Sequence, residues 1–135
     1  MRIFLKTQNI NLEKNNSNFK KNHSIMSIKH KSEINIKVGL DENKVPEELF
    51  WSADDGEIKD MEAKALLLSV WDSANRDTYK INLWTKEMPV NEMVQFFHQT
   101  LVSMADTFEM ATSDDKMSAT MRDFCDYYAD KMGIK

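Results

Sequence analysis

The run MVQFFHQTLVSMADTFE, residues 93–109, sets a histidine beside two adjacent phenylalanines and carries a carboxylate further on. A histidine base needs an orienting partner within hydrogen-bond reach. On a helix the neighbours of His98 are Val94, Gln95, Leu101 and Val102, and none of them is a carboxylate. Asp106 lies roughly 12 Å further along the axis and turned away, so a His98–Asp106 pair is not formed. The single cysteine, Cys125, sits beside Phe124 and near Tyr128. A reactive thiol needs a neighbouring cation to lower its pKa. A Cys125–His98 dyad would require two helices facing each other on those edges, and a free cysteine of this kind ordinarily behaves as a small buried hydrophobe.

The other chemistry-bearing residues fit no site pattern. DENKVPEE and SDDK are rich in carboxylates, but neither has the glycine turn and distal glutamate of a calcium loop. His23, His30 and His98 lack zinc-ligand spacing, and there is no CxxC. No phosphate-binding glycine loop or nucleophile elbow occurs. The residues therefore point to no catalytic group, no metal and no cofactor; a binding protein is the first reading, and a small enzyme using His98 or Cys125 is the remaining alternative.

Charge narrows the partners. The net charge of −4 conceals a split. Residues 1–31 hold seven Lys/Arg and one Glu, a balance of +6, while residues 32–135 hold eleven against 21 acids, a balance of −10. The acidic body is a poor match for nucleic acid, which requires clustered Lys/Arg, and for anionic membranes. The first 31 residues are rich in Asn, Lys and Ser and lack apolar periodicity, so a disordered basic tail is expected. Met26 is an alternative start that would leave residues 1–25 without a role. No signal-peptide core or membrane-spanning run is present, which makes the cytoplasm the default compartment. A lone cysteine also excludes a disulfide-stapled secreted scaffold.

Period-two alternation in SEINIKVGLD predicts a strand over 32–41. PEELFWSAD, 46–54, is a second candidate, followed by a turn at DDG, and residues 57–63 are open between irregular chain and a helical turn. AKALLLSVWD and TYKINLWT flank the polar SANRD and predict an antiparallel hairpin. A turn centred on Asn75 would face Trp71 with Tyr79 and Leu66 with Trp84. Two helices follow. Val90, Met93, Val94, Phe97, Leu101, Met104 and Phe108 make a stripe centred on Phe97, the expected core face of the first. Met117, Met121, Phe124, Tyr128 and Met132 make the stripe of the second, with Ser113 or Asp114 as its cap and Arg122–Asp126 as a surface pair. The expected fold is α+β: a four-stranded antiparallel sheet followed by two helices packed on one face, with 32–135 as a single domain.

Two helices cover one sheet face, yet the hairpin is apolar on both. Contiguous apolar surface of this kind marks an interface. Leu66, Leu68, Val70 and Trp84 are the expected contact residues, for a second copy or another protein.

The stretches VGLDENKVPEELFWSADDG, LLLSVWDS, INLWTKEMPVNEMVQFFHQTLVSMADTFE and MRDFCDYYADKM resemble the gliding-motility protein GldC family of Bacteroidetes over nearly all of residues 32–135. The basic N-terminal extension departs from that pattern. The resemblance implies a small accessory protein of the gliding machinery without catalytic or ligand residues. Its partners would be motility-machinery proteins, through which it would reach the inner side of the cell envelope; the apolar sheet faces add the expectation of a homo-oligomer. An alternative from architecture alone is an acidic, export-chaperone-like protein that holds unfolded chains.

Overall fold

The computed structural model describes residues 28–134, so most of the basic tail lies outside the described residues. The elements run β1 (Ile34–Leu40), β2 (Pro46–Ala53), a 3-10 turn (Asp54–Gly56), β3 (Ile58–Glu62), β4 (Ala65–Asp72), β5 (Asp77–Trp84), α1 (Val90–Thr112) and α2 (Asp115–Met132). The class is α+β. There are two antiparallel sheets, one of three strands in the order β1-β2-β3 and one of two, β4-β5. The expected single four-stranded sheet is corrected on two counts. Residues 58–62 form a strand, although Lys59, Asp60 and Glu62 give it too little apolar alternation to read as one. The β4–β5 hairpin also pairs separately from the others. The chain divides into two compact units, one ending at Lys86, with both sheets, and the other starting at Glu87, with both helices.

In the three-stranded sheet the period-two pattern of the sequence is realised directly. Ile36 pairs with Trp51, Val38 with Leu49, and Trp51 in turn with Met61. These residues share one face, and Leu49 at its centre is 2% exposed. The opposite face carries Phe50 among polar residues. There Lys37 of β1 donates to Asp60 of β3 at 2.7 Å, and the Ser52 hydroxyl accepts from the Asp60 backbone N–H at 3.0 Å. β3 follows because the 3-10 turn ends on Glu57 in the left-handed region, φ 53°, which reverses the chain onto β2.

The β1–β2 connection is organised by Asp41. Its carboxylate accepts from the backbone N–H groups of Asn43 and Val45, each at 2.8 Å, the local bond that makes Asp a turn former. The same carboxylate accepts from Lys86 Nζ at 2.6 Å, and Glu47 accepts from that Nζ at 2.9 Å. The end of the second hairpin is thereby tied to the start of β2.

The helices are antiparallel neighbours joined by a tight link. Ser113 closes α1 in the left-handed region, φ 56°, and Asp114 caps α2 by accepting from the Met117 backbone N–H at 2.9 Å. Of the two expected caps, Asp114 is the one used. Pro89, in extended conformation, stands immediately before the first residue of α1.

Candidate functional site

The candidate catalytic residues sit in the seam between the two helices. His98 stacks on Tyr128 with ring centroids 6.1 Å apart and planes 16° from parallel, and the Tyr128 hydroxyl donates to the Val94 carbonyl at 3.2 Å. His98 is half-buried, as its place on the edge of the apolar stripe predicts. Cys125 is 3% exposed. Burial pushes its thiol pKa up, and the Asp126 and Asp106 charges add to the rise. A nucleophilic thiol needs the opposite shift, so Cys125 is a packing residue. Among the described residues no group of His, Cys, Asp and Glu could hold a metal ion.

The seam between the helices is built on small residues. Ala105, Ser118 and Cys125 are its buried residues, and all three are small. Phe97, the expected centre, remains 43% exposed, and Met104 is 54% exposed. Two helices approach most closely where side chains are short, so the contact line runs through Ala105 and leaves the bulky residues beside it. Arg122 also differs from expectation. Rather than pairing with Asp126 on its own helix, it crosses to α1, bonding Asp106 at 2.9 Å and Glu109. These two carboxylates hold its guanidinium pKa above the ordinary value.

The expected contact surface lies on the β4–β5 sheet. Its register pairs Leu66 with Leu83, Leu68 with Ile81, Val70 with Tyr79 and Ala65 with Trp84. This is one residue off the expected pairing. The loop between Asp72 and Asp77 has an even number of residues, Ser73 to Arg76, whereas a turn centred on Asn75 would have an odd number. Asp72 sets the loop by accepting from the Ala74 backbone N–H at 2.9 Å and from the Asn75 amide at 2.6 Å. Arg76, at φ 54°, then turns the chain into β5. A one-residue shift exchanges faces. Leu66, Leu68 and Val70 therefore share a face with Leu83, Ile81 and Tyr79, while Trp84 falls on the other face with Leu67 and Trp71.

Both faces carry exposed apolar groups. Val70, Tyr79 and Ile81 are 52%, 47% and 40% exposed on one, and Trp71 and Trp84 are 63% and 40% exposed on the other. Only Leu83, at 8%, is buried. Charged groups in this sheet stand at its turn end, Asp72 and Asp77, and at Lys80.

A family model described as Gliding motility-associated protein GldC-like matches residues 46–134, more than half of the chain. The chain belongs to the GldC-like family. Membership associates it with gliding motility, and the stretches that carry the resemblance fall largely within the matched residues. No curated protein and no solved structure matches the chain. The GldC-like match runs from the first residue of β2 to the residues beyond α2, so it takes in both the apolar hairpin and the helical pair. Among the described residues no helix is long and apolar enough to cross a membrane.

Proposed function

We propose that this GldC-like chain is a non-enzymatic accessory component of the gliding machinery that works by binding protein. It acts on the inner side of the cell envelope, held there by its partners, and as a homo-oligomer. The observation that carries the reading is the β4–β5 sheet with apolar residues exposed on both faces. Single apolar residues on a surface are ordinary, but a contiguous set is where proteins dock. The helical seam supports the same reading: the thiol is covered and the half-buried histidine is stacked on a tyrosine.

The test is genetic complementation scored by gliding speed. Cells lacking the protein should glide poorly and regain full speed with the His98→Ala, Cys125→Ala double variant. They should fail to regain it with Val70→Asp or Trp84→Asp, each checked for folded protein. Loss of gliding with the His98, Cys125 variant at normal protein level would instead point to chemistry in the seam. Suppression of the aggregation of unrelated unfolded chains by the purified protein would favour the chaperone-like alternative.

A further inference from the structure

Strand β4 reads Ala65-Leu66-Leu67-Leu68-Ser69-Val70-Trp71 before Asp72. It is hydrogen-bonded to β5 along one edge, and among the described residues no strand pairs with its other edge. A two-stranded ribbon by itself is marginal in water, and stability comes with a third strand or more. Exposed edges are ordinarily blunted with a charge, a proline or a bulge. β5 has such a device in Lys80. β4 has none from Ala65 to Trp71: no charge, no proline, and an unbroken register against β5.

Which backbone groups point outward follows from the ladder. The Thr85 N–H donates to the Lys64 carbonyl at 2.8 Å, so Lys64 turns its backbone groups toward β5. Successive residues alternate. Leu66, Leu68 and Val70 therefore also face β5, and Ala65, Leu67, Ser69 and Trp71 present their N–H and C=O groups to the open edge.

We infer that this edge pairs with the same edge of a second copy, antiparallel about a two-fold axis through Leu68. This rests on the homo-oligomer of the proposed function and specifies its geometry. The register is the one that uses the whole uncharged stretch. Leu67 exchanges both hydrogen bonds with Ser69 of the other copy, Ala65 does so with Trp71, and Leu68 meets its own equivalent in a non-hydrogen-bonded pair. A two-fold contact is isologous, so a strand must be complementary to itself. Residues 65–71 meet that condition because no charge is brought against its own copy. The product is a four-stranded sheet ordered β5-β4-β4-β5. Leu66, Leu68, Val70, Ile81 and Tyr79 of each copy then run as one continuous apolar face.

The pairing is tested on the full chain. Native mass spectrometry of the unaltered protein should give twice the chain mass. In a Cys125→Ala background, Leu68→Cys should form an intermolecular disulfide under mild oxidation, because Cα atoms in a non-hydrogen-bonded pair stand about 4.5 Å apart. Leu66→Cys and Val70→Cys should each cross-link poorly alone and readily when mixed. Ser69→Lys is made together with Lys80→Glu, because Lys80 stands directly opposite across the hairpin. The pair places a charge at the edge without setting like charges against each other and should convert the dimer to a folded monomer. A monomer at every concentration overturns the inference. So does a dimer that this double variant leaves unchanged and that forms no disulfide at position 68. Protection of the β4 amides from hydrogen exchange only on adding another protein would give the edge to that protein and overturn it as well. Gliding separates this from the wider reading. A monomeric Ser69→Lys, Lys80→Glu chain that restores full gliding removes the dimer from the function but leaves the accessory role standing.

Discussion

At the scale of single residues, several polar groups organise turns. Asp41 is the clearest case, since its side chain is 12% exposed while it accepts from two backbone amides and from Lys86. The Lys86 hydrogen bond, followed by that from Val45, holds its carboxyl below the ordinary 3.8. A carboxyl depressed in the fold adds stability that is present above its unfolded value and is lost as pH falls through the folded one. The matching shift in Lys86, raised above 10.5 by Asp41 and then Glu47, has the opposite sense: its contribution is present below 10.5 and lost as pH climbs through the raised value. Asp41→Asn should therefore lower stability at pH 7 and shrink the loss between pH 5 and pH 2. Urea midpoints at several pH values would check it, and an acid limb as steep as that of the unaltered protein would refute it. Cys125 gives a second residue-scale expectation. Its thiol should label with a maleimide far more slowly in buffer than in denaturing urea, since both burial and neighbouring acids oppose the thiolate. Equal rates would place the thiol on the surface.

Elements show how much of the fold is legible in sequence. Strong periods were sufficient: Ile34 to Leu40 alternates and is a strand, and the two stretches with three- and four-residue repeats are helices. What failed to be legible was set by loop parity and by small residues. The hairpin register turned on whether the link has an even or odd number of residues, which Asp72 and Arg76 decide through local geometry that a hydrophobic pattern does not encode. Likewise Ala105 and Ser118 contribute nothing to a hydrophobic stripe, yet their small size is what lets the helices meet there. β3 was missed because its charged residues face solvent or pair across the sheet, as Asp60 does with Lys37. Of the expected contact set, the Leu66, Leu68 and Val70 face was readable from alternation within one strand. The placement of Trp84 required the register between two. Two predictions belong at this scale. Asp114→Ala removes the α2 cap and should cost about 1 kcal/mol, read as a fall of roughly 4–8 °C in Tm if unfolding is two-state. Arg76→Gly relieves a left-handed residue that costs about 1 kcal/mol outside glycine, so it should raise the urea midpoint. A lower midpoint would mean the Arg76 side chain contributes more than its backbone costs.

Within each unit the apolar core is small for the apolar content. Among the described residues, the buried hydrophobic side chains are Leu49 and Leu83 in the β unit and Ala105 and Cys125 in the helical unit. Large groups in both units, Trp71 and Val70 in one and Phe124 and Met104 in the other, are half-exposed or more. Apolar burial is the main term that offsets the ordering of the chain. A protein that leaves this much of it uncovered gains stability when association covers it, and that gain follows mass action. Stability should then depend on protein concentration. For a dimer, a hundredfold rise in concentration adds about 2.7 kcal/mol at 25 °C, enough to move Tm upward by several degrees. Thermal unfolding at about 1 and 100 μM is the measurement. A Tm that rises with concentration in the unaltered chain, and rises less in a chain bearing Val70→Asp, would place part of the missing core on the β4–β5 face. A Tm indifferent to concentration would mean that each chain is stable on its own contacts, leaving the exposed face available for a different protein.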